Sequence, residues 1–103
     1  MEIRELENKI IEALKLVYDP EIPVNIYEMG MIYEIRVKEG GNIYIKMTLT
    51  SPACPVAESL PGDVKARLES IEGVNQVYVD LVWDPPWTQD MMSEEAKLEL
   101  GFF

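Results

Sequence analysis

Three segments of this chain alternate apolar and polar residues, and this alternation limits the possible folds more than any other feature of the sequence. The segments are residues 31–38, 42–50 and 75–83. Such alternation predicts strands that bury one face and leave the other face polar. The first two segments are separated by a Glu-Gly-Gly-Asn turn at residues 39–42, which predicts a tight hairpin.

Two longer segments have apolar residues every three or four positions, which predicts helices. The first covers residues 2–18; because Pro20 disfavours helical angles at the preceding residue, we expect this helix to end near Tyr18. The second covers residues 55–71, and Pro61 suits the first turn of a helix, so its regular part should begin near Ser59 or Leu60.

Shorter signals predict the local structure of the connections. Asn25 can cap a short turn that Gly30 ends in a left-handed conformation. Thr88 and Ser93 are candidate caps before a last short helix, and Gly101 would end that helix.

The predicted order is therefore α-β-β-α-β-α in a single domain of 103 residues. A strand–helix–strand connection makes the second and third strands parallel, whereas the hairpin makes the first two antiparallel. We expect an α/β (α+β) two-layer fold with a mixed three-stranded sheet and its main helices on one face.

Composition excludes several classes of function. Nine basic against nineteen acidic residues give a net charge of −10, which argues against binding to nucleic acid or to an anionic membrane surface. No segment approaches the ~20 apolar residues of a membrane span. The acidic, amphipathic start does not resemble a secretory signal, and a single cysteine is typical of the reducing cytoplasm.

The chain contains no histidine, which removes most familiar catalytic and metal sites. A Ser-His-Asp triad, a Cys-His pair and a histidine zinc site are all excluded. The one Gly-Gly pair lies in the hairpin turn, so a glycine-rich phosphate loop is not expected either.

Cys54 is the only cysteine, and it lies between the second predicted strand and the second predicted helix. A lone cysteine is often a small buried apolar residue. The alternative is a thiolate stabilised near a helix start, and thiolates are ligands that iron and iron–sulfur clusters select.

Four further residues could join Cys54 in a site. Thr50 and Ser51 could cap the next turn or donate hydrogen bonds to a thiolate or to sulfide. Asp19 and Glu21 could be solvated acids at a helix end, or carboxylates that fold back beside the thiol.

Several stretches, in this order, resemble the SufT/PaaD-like iron–sulfur assembly family, formerly a domain of unknown function. They are Tyr-Asp-Pro-Glu-Ile-Pro-Val-Asn from residue 18, Met-Thr-Leu-Thr-Ser-Pro-Ala-Cys-Pro from residue 47, Glu-Gly-Val from residue 72 and Val-Trp-Asp-Pro-Pro-Trp-Thr from residue 82. The resemblance covers nearly the whole chain. It implies an iron–sulfur assembly fold, an accessory role in maturation rather than an isolated enzymatic reaction, and a pocket formed by Asp19, Glu21, Thr50, Ser51 and Cys54.

The resemblance also implies Suf-type scaffold or carrier proteins and apo iron–sulfur clients as partners. A stable cluster generally needs four ligands, whereas one chain supplies one thiolate, so we expect no tightly bound cluster. Two routes remain: a homodimer that brings two Cys54 thiolates together, or transient binding of iron or a cluster during transfer.

Two other hypotheses stay open. The chain could be a protein-interaction adaptor without metal chemistry, in which Cys54 only packs. It could also be a thiol-dependent enzyme, although without histidine the base would have to be a carboxylate or a lysine.

Overall fold

The computed structural model describes residues 2–18, 22–50 and 59–101. The helices and strands follow the predicted order: α1 (Ile3–Leu14), β1 (Ile32–Lys38), β2 (Asn42–Met47), α2 (Leu60–Glu69), β3 (Gln76–Leu81) and α3 (Glu94–Glu99). Single 3-10 turns cover Glu39–Gly41 and Gln89–Met91. Among the helices in these three ranges, none is long and apolar enough to cross a membrane.

The sheet is mixed, as predicted, with the strand order β1-β2-β3. β1 and β2 are antiparallel, with Ile35 opposite Ile45, and β2 and β3 are parallel, with Ile45 opposite Val79. The hairpin turn has Gly40 and Gly41 at φ +81° and +77°, which are angles that suit glycine. The predicted α+β sheet topology is confirmed.

The core lies between one face of the sheet and the helices. α1 packs against β1 and α2, and α2 packs against β3. α1, α2 and β2 each contribute three buried side chains at the predicted spacing: Leu6, Ile10 and Leu14 from α1, Leu60, Val64 and Leu68 from α2, and Ile43, Ile45 and Met47 from β2. The opposite face of the sheet carries the polar residues of the alternation.

β2 is shorter than predicted, because it ends at Met47 instead of residue 50. Thr48 and Leu49 are both buried, at 0% and 2% exposure, so the alternation stops there. The Thr48 N–H donates to the Met31 carbonyl at 2.8 Å and the Val82 N–H donates to the Met47 carbonyl at 2.8 Å. The backbone is thus still held on both sides after the regular ladder has ended.

α1 also ends earlier than predicted, at Leu14 rather than near Tyr18. The reason is tertiary: the Val17 carbonyl accepts a hydrogen bond from the Ile26 N–H at 2.9 Å, and Tyr18 forms an isolated bridge with Asn25. This pairing requires extended backbone and competes with another helical turn. The predicted start of α2 is confirmed, with Leu60 first and Pro61 in its first turn.

The predicted turn after Asn25 is confirmed. The Asn25 side-chain oxygen accepts a hydrogen bond from the Glu28 N–H at 2.9 Å, and Gly30 has φ +78°. Ser93 caps α3 by accepting from the Ala96 N–H at 3.1 Å. The prediction for Thr88 is wrong, because its side chain makes no capping hydrogen bond in the described structure.

Candidate functional site

Of the five residues predicted to form the site, the structure describes Thr50. The other four, Asp19, Glu21, Ser51 and Cys54, lie outside the described residues. Their predicted convergence therefore rests on the residues that flank them, which the structure does describe.

Thr50 is half-buried and lines a cavity of about 240 Å³. The lining residues are mainly apolar: Ile22, Pro23, Met29, Thr50, Trp87, Gln89, Met92 and Leu100. Thr50 and Gln89 supply a hydroxyl and an amide among these side chains, while Trp87 contributes a large ring. Such a lining suits an apolar group that makes one or two directed polar contacts.

The lining of this cavity includes the described residues that adjoin the two predicted groups, which are Asp19 with Glu21 and Ser51 with Cys54. Ile22 directly follows residues 19–21, and Thr50 directly precedes residues 51–54. Both Ile22 and Thr50 line the cavity. Ile22 and Thr50, which are far apart in sequence, thus line the same cavity.

The position of Thr50 follows from the way β2 ends. Met47, Thr48 and Leu49 are all buried in succession, and the Thr48 N–H is bonded to the Met31 carbonyl. This buried run brings Thr50 to the edge of the core, where the residue lines the cavity.

The C-terminal segment builds another wall of the cavity and ties it to the turn after Asn25. The Trp87 ring N–H donates to the Met29 carbonyl at 2.7 Å, and the Ser93 N–H donates to the Glu28 carbonyl at 2.8 Å. Met92 is buried in the core, and Trp87 packs against the core. The half-buried ring N–H has its hydrogen-bond partner, which holds the ring in place as one wall of the cavity.

Tyr33 falls on the same side of the β1 alternation as Ile35 and Val37, which predicts an inward side chain, and this prediction is wrong. The register of β1 shifts between Ile32 and Glu34, and Ile32 rather than Tyr33 packs against the core. The Tyr33 hydroxyl donates to the Pro85 carbonyl at 2.8 Å and lies 3.4 Å from the Met91 sulfur. Burial raises the pKa of Tyr33 above its ordinary value. The alternation of apolar and polar residues does not reveal a β-bulge, so no signal in the sequence predicted this placement.

Within residues 2–18, 22–50 and 59–101, no three Cys, Asp or Glu side chains come together in a way that could hold a metal ion. The described part of the candidate site is therefore an apolar cavity with a threonine hydroxyl at its rim.

Comparison with protein families gives a match between residues 7–81 and the family described as "Iron-sulfur cluster assembly protein". The match begins within α1 and covers the whole sheet and α2. The chain belongs to this family. The resemblance noted in the sequence is thereby confirmed.

Two curated relatives agree over most of their length. A protein of Porphyromonas gingivalis, named "Fe-S protein maturation auxiliary factor", is 50% identical over 98% of this chain and 96% of its own. A protein of Staphylococcus aureus, named "Fe-S protein maturation auxiliary factor SufT", is 41% identical over 84% of this chain and 98% of its own.

A solved structure has the same fold. The crystal structure of a domain of unknown function from Bacillus anthracis is 40% identical and superimposes with a TM-score of 0.89. The similarity covers 97% of this chain and 95% of that one. The fold predicted from the sequence is therefore shared with an experimental structure.

Proposed function

We propose that this chain is an accessory factor in the maturation of iron–sulfur proteins, and that Cys54 handles iron or a cluster as cargo during transfer. Membership of the assembly family supports the general role. One observation supports the proposed site: Ile22 and Thr50 line the same cavity, and each is next in sequence to one of the two groups of predicted residues.

Chain length alone keeps the predicted residues near this cavity. A chain spans at most about 3.5 Å per residue, so Cys54, four positions after Thr50, has its Cα within about 14 Å of the Thr50 Cα. Asp19 and Glu21 are within three positions of Ile22. Chain length therefore allows the side chains of Asp19, Glu21, Ser51 and Cys54 to reach the rim of the cavity, as the proposal requires.

The chemistry of this set suits brief binding. One thiolate and two carboxylates offer fewer soft ligands than the four that a resident cluster generally takes. The carboxylates would also raise the pKa of the thiol by repulsion, so the thiolate would form mainly when a metal cation is present. Weak binding of this kind favours release to an acceptor protein.

The proposed partners are Suf-type scaffold or carrier proteins and apo iron–sulfur clients, in the cytoplasm. In this role the chain is not an enzyme, because cargo is passed on without a reaction of its own. A homodimer with two Cys54 thiolates is the other way to complete a ligand set.

The principal test replaces Cys54 by serine in cells that depend on this chain for cluster maturation. We expect Cys54→Ser to fold normally, judged by circular dichroism, and to lower the activity of cluster-dependent enzymes. Normal enzyme activity with the variant would exclude a role for the thiol. If Cys54→Ser also still captured assembly proteins at full strength, the chain would be a protein-interaction adaptor.

A second test concerns the hydroxyl at the rim of the cavity. Thr50→Val keeps the shape of the side chain and removes the hydroxyl that would hydrogen-bond to the cargo, so maturation should fall while folding is retained. Thr88→Val is the matched control, since Thr88 is exposed and its hydroxyl makes no cap. Equal effects of the two substitutions would contradict a specific role for Thr50.

Anaerobic reconstitution with iron and sulfide separates the two cargo routes. Visible absorption, Mössbauer spectra and sedimentation would be recorded for the wild type and Cys54→Ala. Labile, Cys54-dependent iron on a monomer supports transfer, whereas a cluster that appears only in a dimer supports bridging by two thiolates. Rapid alkylation of Cys54 near neutral pH would instead favour a thiol-dependent enzyme.

A further inference from the structure

The face of the sheet opposite α1 and α2 carries an ordered array of polar and aromatic side chains. The strand register places them in three rows across β1, β2 and β3: Glu34–Lys46–Asp80, Arg36–Tyr44–Tyr78 and Lys38–Asn42–Gln76. None of these residues lines the cavity next to Thr50. The array is therefore a separate surface, and its role is independent of the proposed cargo site.

The middle row is aromatic and exposed. The rings of Tyr44 and Tyr78 are stacked, with centroids 5.7 Å apart and 13° between their planes. Tyr78 keeps 63% of its surface exposed, and the Arg36 guanidinium lies 5.8 Å from the Tyr44 ring centre. Tyrosine and arginine are the residue types that most often dominate protein interfaces.

The two acids of the array already have partners within it. Glu34 is paired with Arg36, and the Lys46 ammonium lies 3.8 Å from its other oxygen. Asp80 accepts a hydrogen bond from the Tyr44 hydroxyl at 2.8 Å. The carboxylates are thus engaged in holding the array together.

The basic side chains at the opposite end of the array have a different setting. Lys38 is exposed, and it lines a cleft of about 530 Å³ together with Lys65 of α2, Tyr44 and Tyr78. Glu69 is the one acidic residue in this lining. Two lysines against one glutamate give this lining a net charge of +1, which is opposite in sign to the charge of −10 on the whole chain.

We infer that this cleft, which we call the Tyr44–Tyr78 cleft, binds a partner protein through an acidic segment that carries an aromatic or large apolar residue. The apolar group would pack on the Tyr78 ring, and the flanking carboxylates would pair with Lys38 and Lys65. Complementary charge of this kind favours association and selects partners.

The overall charge argues against two other occupants. A second copy of this chain also carries a charge of −10, and a nucleic acid is a dense polyanion, so both are repelled over the whole surface. A short acidic segment brings few charges, and beyond about 8 Å at physiological salt the repulsion is screened.

The test uses a fluorescein-labelled peptide in which glutamates flank a central tryptophan, titrated with the full chain at physiological salt and read by fluorescence anisotropy. We expect saturable binding that weakens as salt is added. Lys38→Glu and Tyr78→Ser should each weaken it roughly tenfold or more, because each removes one kind of contact.

The matched controls are a charge reversal and a loss of an apolar side chain at exposed positions outside the cleft. Lys9→Glu reverses an exposed charge on α1, and Leu98→Ser removes an exposed apolar side chain from α3; neither should change the affinity. The inference is overturned if the wild type does not bind the peptide, or if the controls weaken binding as much as the two variants do. It is also overturned if an oligonucleotide binds more tightly than the peptide, or if sedimentation shows that the cleft is occupied by a second copy.

Discussion

At the scale of single residues, Tyr44 shows how a neighbouring strand can change the pKa of a side chain on the polar face of the sheet. Its hydroxyl donates to Asp80 on the adjacent strand, and this hydrogen bond is the main reason that the pKa of Tyr44 lies above its ordinary value of 10.0. A phenolate at this position would lose the hydrogen bond and would face a carboxylate.

We predict that Asp80→Asn lowers the pKa of Tyr44 towards its ordinary value. Because the folded chain holds this proton more tightly than the unfolded chain, the contribution to stability is complete below about pH 10 and is lost as the pH rises through the folded-state pKa. A titration followed by NMR of chains labelled at tyrosine Cζ would measure the shift, with Tyr44→Phe identifying the resonance. An unchanged pKa in Asp80→Asn would contradict the assignment to this hydrogen bond.

At the scale of elements, the turn after Asn25 depends both on its own residues and on packing against a distant segment. Asn25 and Gly30 predict the turn by themselves, through a side-chain cap and a left-handed angle. The C-terminal segment then packs onto it so closely that a Cβ at Gly30 would overlap the Met91 carbonyl. Glycine is therefore needed at position 30 for two reasons: the backbone angle is left-handed, and the C-terminal segment packs too closely to leave room for a Cβ.

We predict that Gly30→Ala lowers the free energy of unfolding by about 3 kcal/mol, from the left-handed penalty and the displaced carbonyl together. Gly40→Ala is the matched control: its φ is also positive, but its nearest neighbour, Asn42, would lie 3.5 Å from the new Cβ. It should cost about 1 kcal/mol. Urea denaturation would measure both, and equal losses would show that the contact with Met91 carries no extra cost.

At the scale of the whole molecule, the acidic residues far outnumber the basic ones. Nineteen acidic residues face nine basic ones, and the described part of the chain contains two ion pairs, both involving Glu34. Repulsion among the acids should therefore outweigh attraction at low salt.

We predict that raising the salt concentration from a few millimolar to physiological strength increases the Tm by about 4 °C, the shift that ~1 kcal/mol produces in a domain of this size. Differential scanning calorimetry would measure it, with sucrose as a control for effects other than screening. A decrease in Tm would mean that surface ion pairs contribute more than the repulsion.

The order of elements, the mixed sheet and the buried face of β2 were all predictable from the sequence alone. Local periodicity, turn residues and the strand–helix–strand rule act over short distances along the chain, and they predicted the inward side chains of β2 and the start of α2 at Leu60. The stretches that resemble the assembly family also predicted the family correctly.

The tertiary structure decided what depends on contacts between distant segments. α1 stops at Leu14 because Val17 pairs with Ile26, and β2 stops at Met47 because Thr48 and Leu49 are both buried. The cavity that joins Ile22 to Thr50, and the stack of Tyr44 on Tyr78, likewise arise only when separate segments meet. No periodic pattern encodes these contacts, because the competing hydrogen bonds and packing partners come from residues far away in the chain.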